Sequence, residues 1–364
     1  MRIEAAVVHA GSPEPVIETL ELDGPRPGEV LVRIAACGVC HTDLRVAQTE
    51  ARFPRPIVLG HEGAGFIEEV GEGVDDLLPG DPVLLSYAWC GACPTCRAGA
   101  IAYCDNTSAL NFSGLRADGT SPLSKGGERV FSFFGQSAFA THAVCSRRSV
   151  VKAPSDLPLR ILAPLGCGVQ TGAGAVLNSL KVGQGQTLAV FGAGSVGLSA
   201  VMAAKLAGAS EIVAVDVNPA RLALALQLGA THAVDPAKDD PTQSVIDITG
   251  RGADFALNTT DIPAVYLQGI ACLAPKGAFG FVTSPRGELA LDFGRIMLGG
   301  RRVQGIVQGD SDPHVFIPRL IDAYRDGRFP LDRLIETYPF ERVGEAMRDS
   351  EAGRAVKPVL WMDG

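Results

Sequence analysis

Residues 187–216 read TLAVFGAGSVGLSAVMAAKLAGASEIVAVD and leave the chain little freedom of fold around them. A short apolar run enters Gly192, Gly194 and Gly197 as G-x-G-x-x-G. An alanine- and leucine-rich helical stretch follows, and a second apolar run ends at Asp216. Glycines alone recur by chance, but strand, glycines, helix, strand and terminal acid in this order describe a dinucleotide-binding βαβ unit. The glycines permit a tight turn and close approach of a pyrophosphate, which sits on the positive helix N-terminus. A carboxylate at Asp216 bonds the adenosine ribose hydroxyls and repels a 2′-phosphate, so the expected cofactor is NAD.

With 364 residues, 46% of them hydrophobic, the chain has room for two packed cores. Strand and helix patterns continue beyond Asp216, with RLALALQLGA as helix and THAVD, GADFALNTT and GAFGFVTS as strands. From 308 onward, VFIPRLIDAYRDGRF reads as an amphipathic helix. The net charge of −8, with no run of basic residues, argues against a nucleic-acid or anionic membrane partner and leaves small molecules. No stretch reaches the roughly 20 apolar residues of a membrane span. The first 24 residues lack a long apolar core and carry five acids, unlike a signal peptide, so a cytoplasmic location is expected.

In that setting cysteine clusters mean metal or catalysis rather than disulfides. Cys90, Cys93, Cys96 and Cys104 form C-x2-C-x2-C-x7-C in one loop. Four thiolates close a tetrahedron around a structural zinc, with an iron–sulfur cluster as the alternative. Residues 37–41 read CGVCH, the attachment signature of a c-type haem, but haem attachment requires export. Cys40 instead follows an alternating apolar run, EVLVRIAAC, that reads as a strand, and precedes HTDL, where Thr42 or Asp43 is placed to cap a helix. His61 sits in the glycine-flanked GHEGAGFIEEVGEGV, and Cys167 in PLGCGVQTGAGAV. Together Cys40, His61 and Cys167 would form a Cys2His site with an open position, the arrangement of a catalytic rather than a structural zinc. Each alone has a plainer reading, as a buried thiol or a hydrogen-bonded histidine. Cys37, Cys145 and Cys272 belong to no inferred site and read as buried filler.

Over its whole length the chain resembles the zinc-dependent medium-chain alcohol dehydrogenases. GHEGAGFIEEVGEGV is similar to their zinc signature, PGDPV follows it, and the two cysteine sets and the βαβ unit keep the family order. SFFGQSAFATHAV, PLGCGVQTGAGAVLN and FGAGSVGLSAVMAA resemble the aryl-alcohol (benzyl alcohol) branch. The resemblance implies a β-rich, GroES-like catalytic domain over 1–168 completed by 308–364, and a Rossmann doubly wound parallel-sheet domain over 169–307. It also implies two zinc ions per chain, a homodimer or homotetramer, and oxidation of a primary aromatic alcohol to the aldehyde. By family position Thr42 bonds the substrate oxygen, Asp43 orients a zinc-binding histidine and Glu62 assists ligand exchange. His41 contacts the cofactor pyrophosphate, Thr171 the nicotinamide and Arg221 the adenosine ribose. One departure stands out: Arg45 replaces the histidine that ends a proton relay in many relatives, and arginine cannot act as a general base. Rival readings are an allylic terpene alcohol of the geraniol type, glutathione-dependent formaldehyde oxidation, a zinc-free reductase on the same scaffold, and a zinc-ribbon binding module.

Overall fold

The computed structural model describes residues 1–362, which divide into two compact units. Unit one comprises Met1–Cys167, Asp312–Ile321 and Leu331–Gly364, and unit two Gly168–Ser311 and Asp322–Pro330. By this division 308–311 and 322–330 group with the second unit, whereas the family resemblance gave all of 308–364 to the first domain.

Unit one holds two sheets. The strands Ile57–Val58, Arg2–Val8, Val16–Leu22, Leu123–Lys125 and Glu128–Val130 lie in that order and pair antiparallel. In the second sheet Glu29–Gly38 is central, flanked by Gly63–Val70 and by the C-terminal strand Lys357–Trp361, with His142–Ser146 also pairing on it. Within Glu29–Gly38 only Arg33 is exposed, so the strand is buried on both faces rather than alternating as its sequence suggests. The register Val359↔Gly38 and Leu360↔Cys37 returns the far end of the chain to the strand that leads into Cys40.

Unit two is a six-stranded parallel sheet in the order His232–Val234, Glu211–Val215, Thr187–Phe191, Ala253–Asn258, Leu273–Phe281, Arg302–Gly305. Its central strands, Glu211–Val215, Thr187–Phe191 and Ala253–Asn258, are almost wholly buried, as strands covered on both faces are, whereas the edge strand Arg302–Gly305 is largely exposed. Helix starts follow local chemistry. Asn218 accepts from the N–H groups of Ala220 and Arg221 ahead of Pro219–Leu228, and Asp240 from Thr242 and Gln243 ahead of Pro241–Thr249. The helix expected over 315–329 runs Pro313–Arg325 and stops before Gly327, whose φ of +69° is left-handed. Among the described residues, no helix is long and apolar enough to cross a membrane.

Candidate active site

The strand Glu29–Gly38 delivers Cys40 to the head of the helix His41–Gln48. Cys40 itself occupies the N-cap position, so Thr42 and Asp43 fall inside the first turn, where Asp43 closes a capping box on Cys40. From there the Asp43 carboxylate accepts the Cys40 N–H at 3.0 Å through Oδ2, and through Oδ1 the Gly60 N–H at 3.0 Å and His61 Nδ1 at 2.9 Å. One fully buried carboxylate thus fixes two candidate ligands at once. Gly60 makes the turn possible, with φ +89° and a position where a Cβ would stand 2.4 Å from Phe139 N.

Cys40, His61, Glu62 and Cys167 bring one ligand atom each to within 4.8 Å of one another. His61 is fully buried, and its Nε2 has no hydrogen-bond partner among the described residues. An orphaned, buried imidazole nitrogen is costly unless something ligates it. The donor set of two thiols, an imidazole and a carboxylate suits zinc. Burial alone would hold His61 neutral. The charges of Asp43 and Cys40 outweigh it and lift the ring's basicity well above the ordinary range, as suits a ligand. Between the two thiols, Cys40 is drawn well below the ordinary thiol range, because Cys167 donates to it against the cost of burial. Thr42 Oγ1 lies 3.7 Å from Cys40 Sγ, while His41 and Arg45 are exposed on the same helix.

Four neighbouring side chains escaped the sequence reading. Lys357, 1% exposed, donates to both Glu62 oxygens at 3.0 and 2.9 Å and to Val39 O at 3.1 Å. Burial works to lower the Lys357 pKa, but Glu62 and Cys40 raise it far above its ordinary value. Removing either partner leaves a buried unpaired charge, about 3–5 kcal/mol. Gly38 gives the pair room, since a Cβ there would lie 2.0 Å from Glu62 Oε2. Phe134 stacks on the His61 ring at 4.5 Å, and Phe133 meets it edge-on at 5.5 Å. Gln136 bonds the backbone on both sides of Glu62. Phe134 and Gln136 lie in SFFGQSAFATHAV, and Lys357 is the lone charge in the apolar AVKPVLW; neither stretch carries a spacing that marks a site.

Cys90, Cys93, Cys96 and Cys104 also gather within 4.8 Å. The Cys90–Cys96 and Cys93–Cys104 sulfurs are each 4.0 Å apart, near the roughly 3.8 Å edge of a tetrahedron with 2.3 Å Zn–S bonds. N–H groups of Ala92 and Cys93 point at Cys90 Sγ, that of Cys96 at Cys93 Sγ, and that of Cys90 at Cys104 Sγ. The N–H of Ala92, with Asn106 and Cys93, draws the Cys90 thiol down to about 6, whereas burial and the neighbouring thiols push Cys96 up to about 12; it is the converging set of four sulfurs that suits a cation. All nine cysteines are free thiols; Cys37, Cys145 and Cys272 are buried and belong to neither group.

Within unit two, Gly192 (φ +93°) turns the chain after Thr187–Phe191, and Gly194 caps the helix Ser195–Leu206 with open space where a side chain would stand. At Gly197 a Cβ would lie 1.8 Å from Gly192 O, so only glycine lets helix and turn meet. Asp216 closes the loop: Oδ2 accepts the Ala193 N–H at 2.6 Å, and Oδ1 that of Asn218 at 2.8 Å. Arg221 Nε is buried with no hydrogen-bond partner among the described residues. Thr171 Oγ1 lies 3.5 Å from Gln308 Oε1. An open glycine cradle at a helix N-terminus, bounded by an acid, fits a dinucleotide.

Residues 26–155 match the family described as the alcohol dehydrogenase GroES-like domain, and residues 195–324 that described as zinc-binding dehydrogenase. A geraniol dehydrogenase of Castellaniella defragrans is 47% identical over 98% of this chain and 97% of its own. The chain belongs to the zinc-dependent medium-chain alcohol dehydrogenases. Among solved structures, an alcohol dehydrogenase zinc-binding domain protein from Burkholderia ambifaria (47% identity, TM-score 0.98) covers both chains fully. So does a benzyl alcohol dehydrogenase from Acinetobacter calcoaceticus (41%, TM-score 0.97). The GroES-like plus Rossmann architecture holds, and the protein is an NAD-dependent, zinc-binding alcohol dehydrogenase acting on a small-molecule alcohol. The readings as a binding module or a zinc-free reductase fall away.

Proposed function

We propose that this enzyme reversibly oxidises a primary benzylic alcohol to its aldehyde with transfer of hydride to NAD⁺. The observation that carries the reading is the aromatic wall at His61: Phe134 stacks on the ring, and Phe112 meets Phe134 at 5.1 Å and Phe133 at 6.1 Å. Such an aromatic cluster beside the metal group would favour a flat, apolar substrate, aromatic contacts of this kind being worth about 0.5–1.5 kcal/mol per pair. The 41% identical benzyl alcohol dehydrogenase supports the same substrate class.

In this reading Cys40, His61 and Cys167 hold the catalytic zinc, and Cys90, Cys93, Cys96 and Cys104 the structural one. The catalytic zinc, when bound, acts as a Lewis acid that acidifies the alcohol. Thr42 receives the hydroxyl proton and passes it outward, with Arg45 unable to serve as its base. Asp43 keeps His61 oriented, and Glu62, gripped by Lys357, stays available for ligand exchange. On the cofactor, His41 takes the pyrophosphate with Gly192, Gly194 and Gly197, Asp216 and Arg221 the adenosine ribose, and Thr171 the nicotinamide. The enzyme is taken to be a cytoplasmic homodimer or homotetramer.

A second reading, an allylic terpene alcohol, is favoured by the 47% identical geraniol dehydrogenase. Ranking benzyl alcohol, geraniol and ethanol by kcat/KM with NAD⁺ separates the two. Geraniol ahead of benzyl alcohol would transfer the assignment, and ethanol ahead of both would overturn it.

A further inference from the structure

Two uncharged side chains link the segments that carry His61 and Cys167. Gln136 is 2% exposed. Its amide nitrogen donates to His61 O and to Ser86 O, each at 3.1 Å, and its oxygen accepts the Gly63 N–H at 3.2 Å. The contacts on either side of Glu62 place the amide where a neighbouring strand's peptide group would stand. Ser86 is fully buried; its hydroxyl donates to Gly166 O at 2.7 Å and its N–H to Ser149 O at 2.8 Å. Gly166 immediately precedes Cys167, and a Cβ on it would lie 2.2 Å from Leu85 O, so the two strands of chain touch there. An unbroken path therefore runs from the His61 carbonyl through the Gln136 amide and Ser86 to the peptide before Cys167.

We propose that Gln136 and Ser86 are positioning residues of the metal centre, forming one hydrogen-bonded brace that sets the separation between His61 and Cys167. Asp43 and Phe134 hold the ring of His61; the brace holds its backbone, and it is the sole one of these devices that reaches Cys167's segment. Packing alone cannot replace it. A leucine at 136 fills a similar volume but takes away the amide's bonds to His61 O, to Ser86 O and to the Gly63 N–H, so these segments lose the group that ties them together. The inference rests on the ligand assignment of the preceding section.

The test compares the zinc-loaded wild type with Gln136→Leu, Ser86→Ala and the double variant. Readouts are zinc release to a chelator, the visible spectrum after cobalt exchange at the catalytic site, and the melting temperature. The catalytic zinc should leave about tenfold faster in Gln136→Leu, within the range usual for groups that support a ligand. A smaller acceleration is expected in Ser86→Ala. The cobalt bands should shift in both, and the double variant should release little faster than Gln136→Leu, because both changes cut one path. Release of the structural zinc should not change. Wild-type release rates and cobalt spectra in both single variants would overturn the proposal. So would equal loosening of both zinc ions together with a lower melting temperature, which marks a general structural role. If Gln136→Leu fails to fold, Ser86→Ala, which deletes one hydroxyl, decides alone. Cys167→Ser separates the underlying reading: it should hold one zinc fewer than wild type, and retention of both would refute the ligand assignment and the brace with it.

Discussion

His61 Nδ1 lies 2.9 Å from Asp43 Oδ1, with both side chains fully buried. The bond fixes the proton on Nδ1 and aims Nε2 at Cys40 and Cys167, which an isolated histidine would not do. Asp43→Asn is the informative change. An amide offers one acceptor and one donor group where three donors now converge, so its NH2 must face the N–H of Cys40 or those of Gly60 and His61. Retention of the catalytic zinc should fall about 10–100-fold. Chelator competition checks this, and unchanged retention would show that Asp43 is not needed to orient the ring.

The two cysteine groups should fail differently. Cys93→Ser removes a ligand from a closed four-thiol cluster, whose metal contributes folding free energy directly, and should lower the melting temperature sharply. Cys167→Ser opens a site braced by Asp43, Lys357 and Gln136 and should abolish turnover in a folded protein that still binds NADH. Thermal unfolding and NADH fluorescence titration separate the outcomes; equal unfolding in both would count against the division of roles.

Stability should decline in alkali through thiols that belong to neither metal group. Burial lifts Cys145 and Cys272 to about 12 each, against roughly 8.5 in an unfolded chain. A folded pKa raised in this way means that the native state keeps the proton longer. The stabilisation is complete below about pH 8.5 and is lost as pH rises towards 12, at about 1.4 kcal/mol per pH unit for each thiol. Cys145→Ala and Cys272→Ala should each flatten the fall of melting temperature between pH 9 and 11. An unchanged slope would show that these thiols ionise in the folded protein.

The sequence displayed the cofactor unit most clearly because its signal is local. Glycines, an alternation of strand and helix, and a terminal acid all fall within residues 187–216. Cysteine spacing likewise revealed the cluster at 90–104. The other metal group was legible as residue types but not as an arrangement, since Asp43, Lys357, Gln136 and Ser86 meet only after distant strands pair. A lone glutamine or a lone lysine in an apolar strand has no period to betray it. The same limit explains the division of the C-terminal region. One continuous helical pattern covers 313–325, yet its first part groups with unit one and its last turn with unit two, and periodicity cannot tell which core a turn joins.

Asp216 offers the last test, and the structure changes what its replacement should do. Its carboxylate accepts the Ala193 N–H at 2.6 Å through one oxygen and the Asn218 N–H at 2.8 Å through the other. It thereby ties the end of Glu211–Val215 to the glycine turn. Asp216→Gly removes the charge that repels a 2′-phosphate and also releases both N–H groups, so the NAD⁺ preference should narrow while KM rises for both cofactors. Asp216→Asn removes the charge but keeps an oxygen for one of those donors, and should narrow the preference with less loss of NAD⁺ affinity. Two unit charges a few ångströms apart at a protein surface interact by about 1–4 kcal/mol, so the kcat/KM ratio for NAD⁺ over NADP⁺ should shift by roughly five- to nearly a thousandfold. Steady-state kinetics with both cofactors measure the ratio directly. A wild-type enzyme that reduces NADP⁺ with equal or better kcat/KM would show that Asp216 serves the turn and not the choice of cofactor.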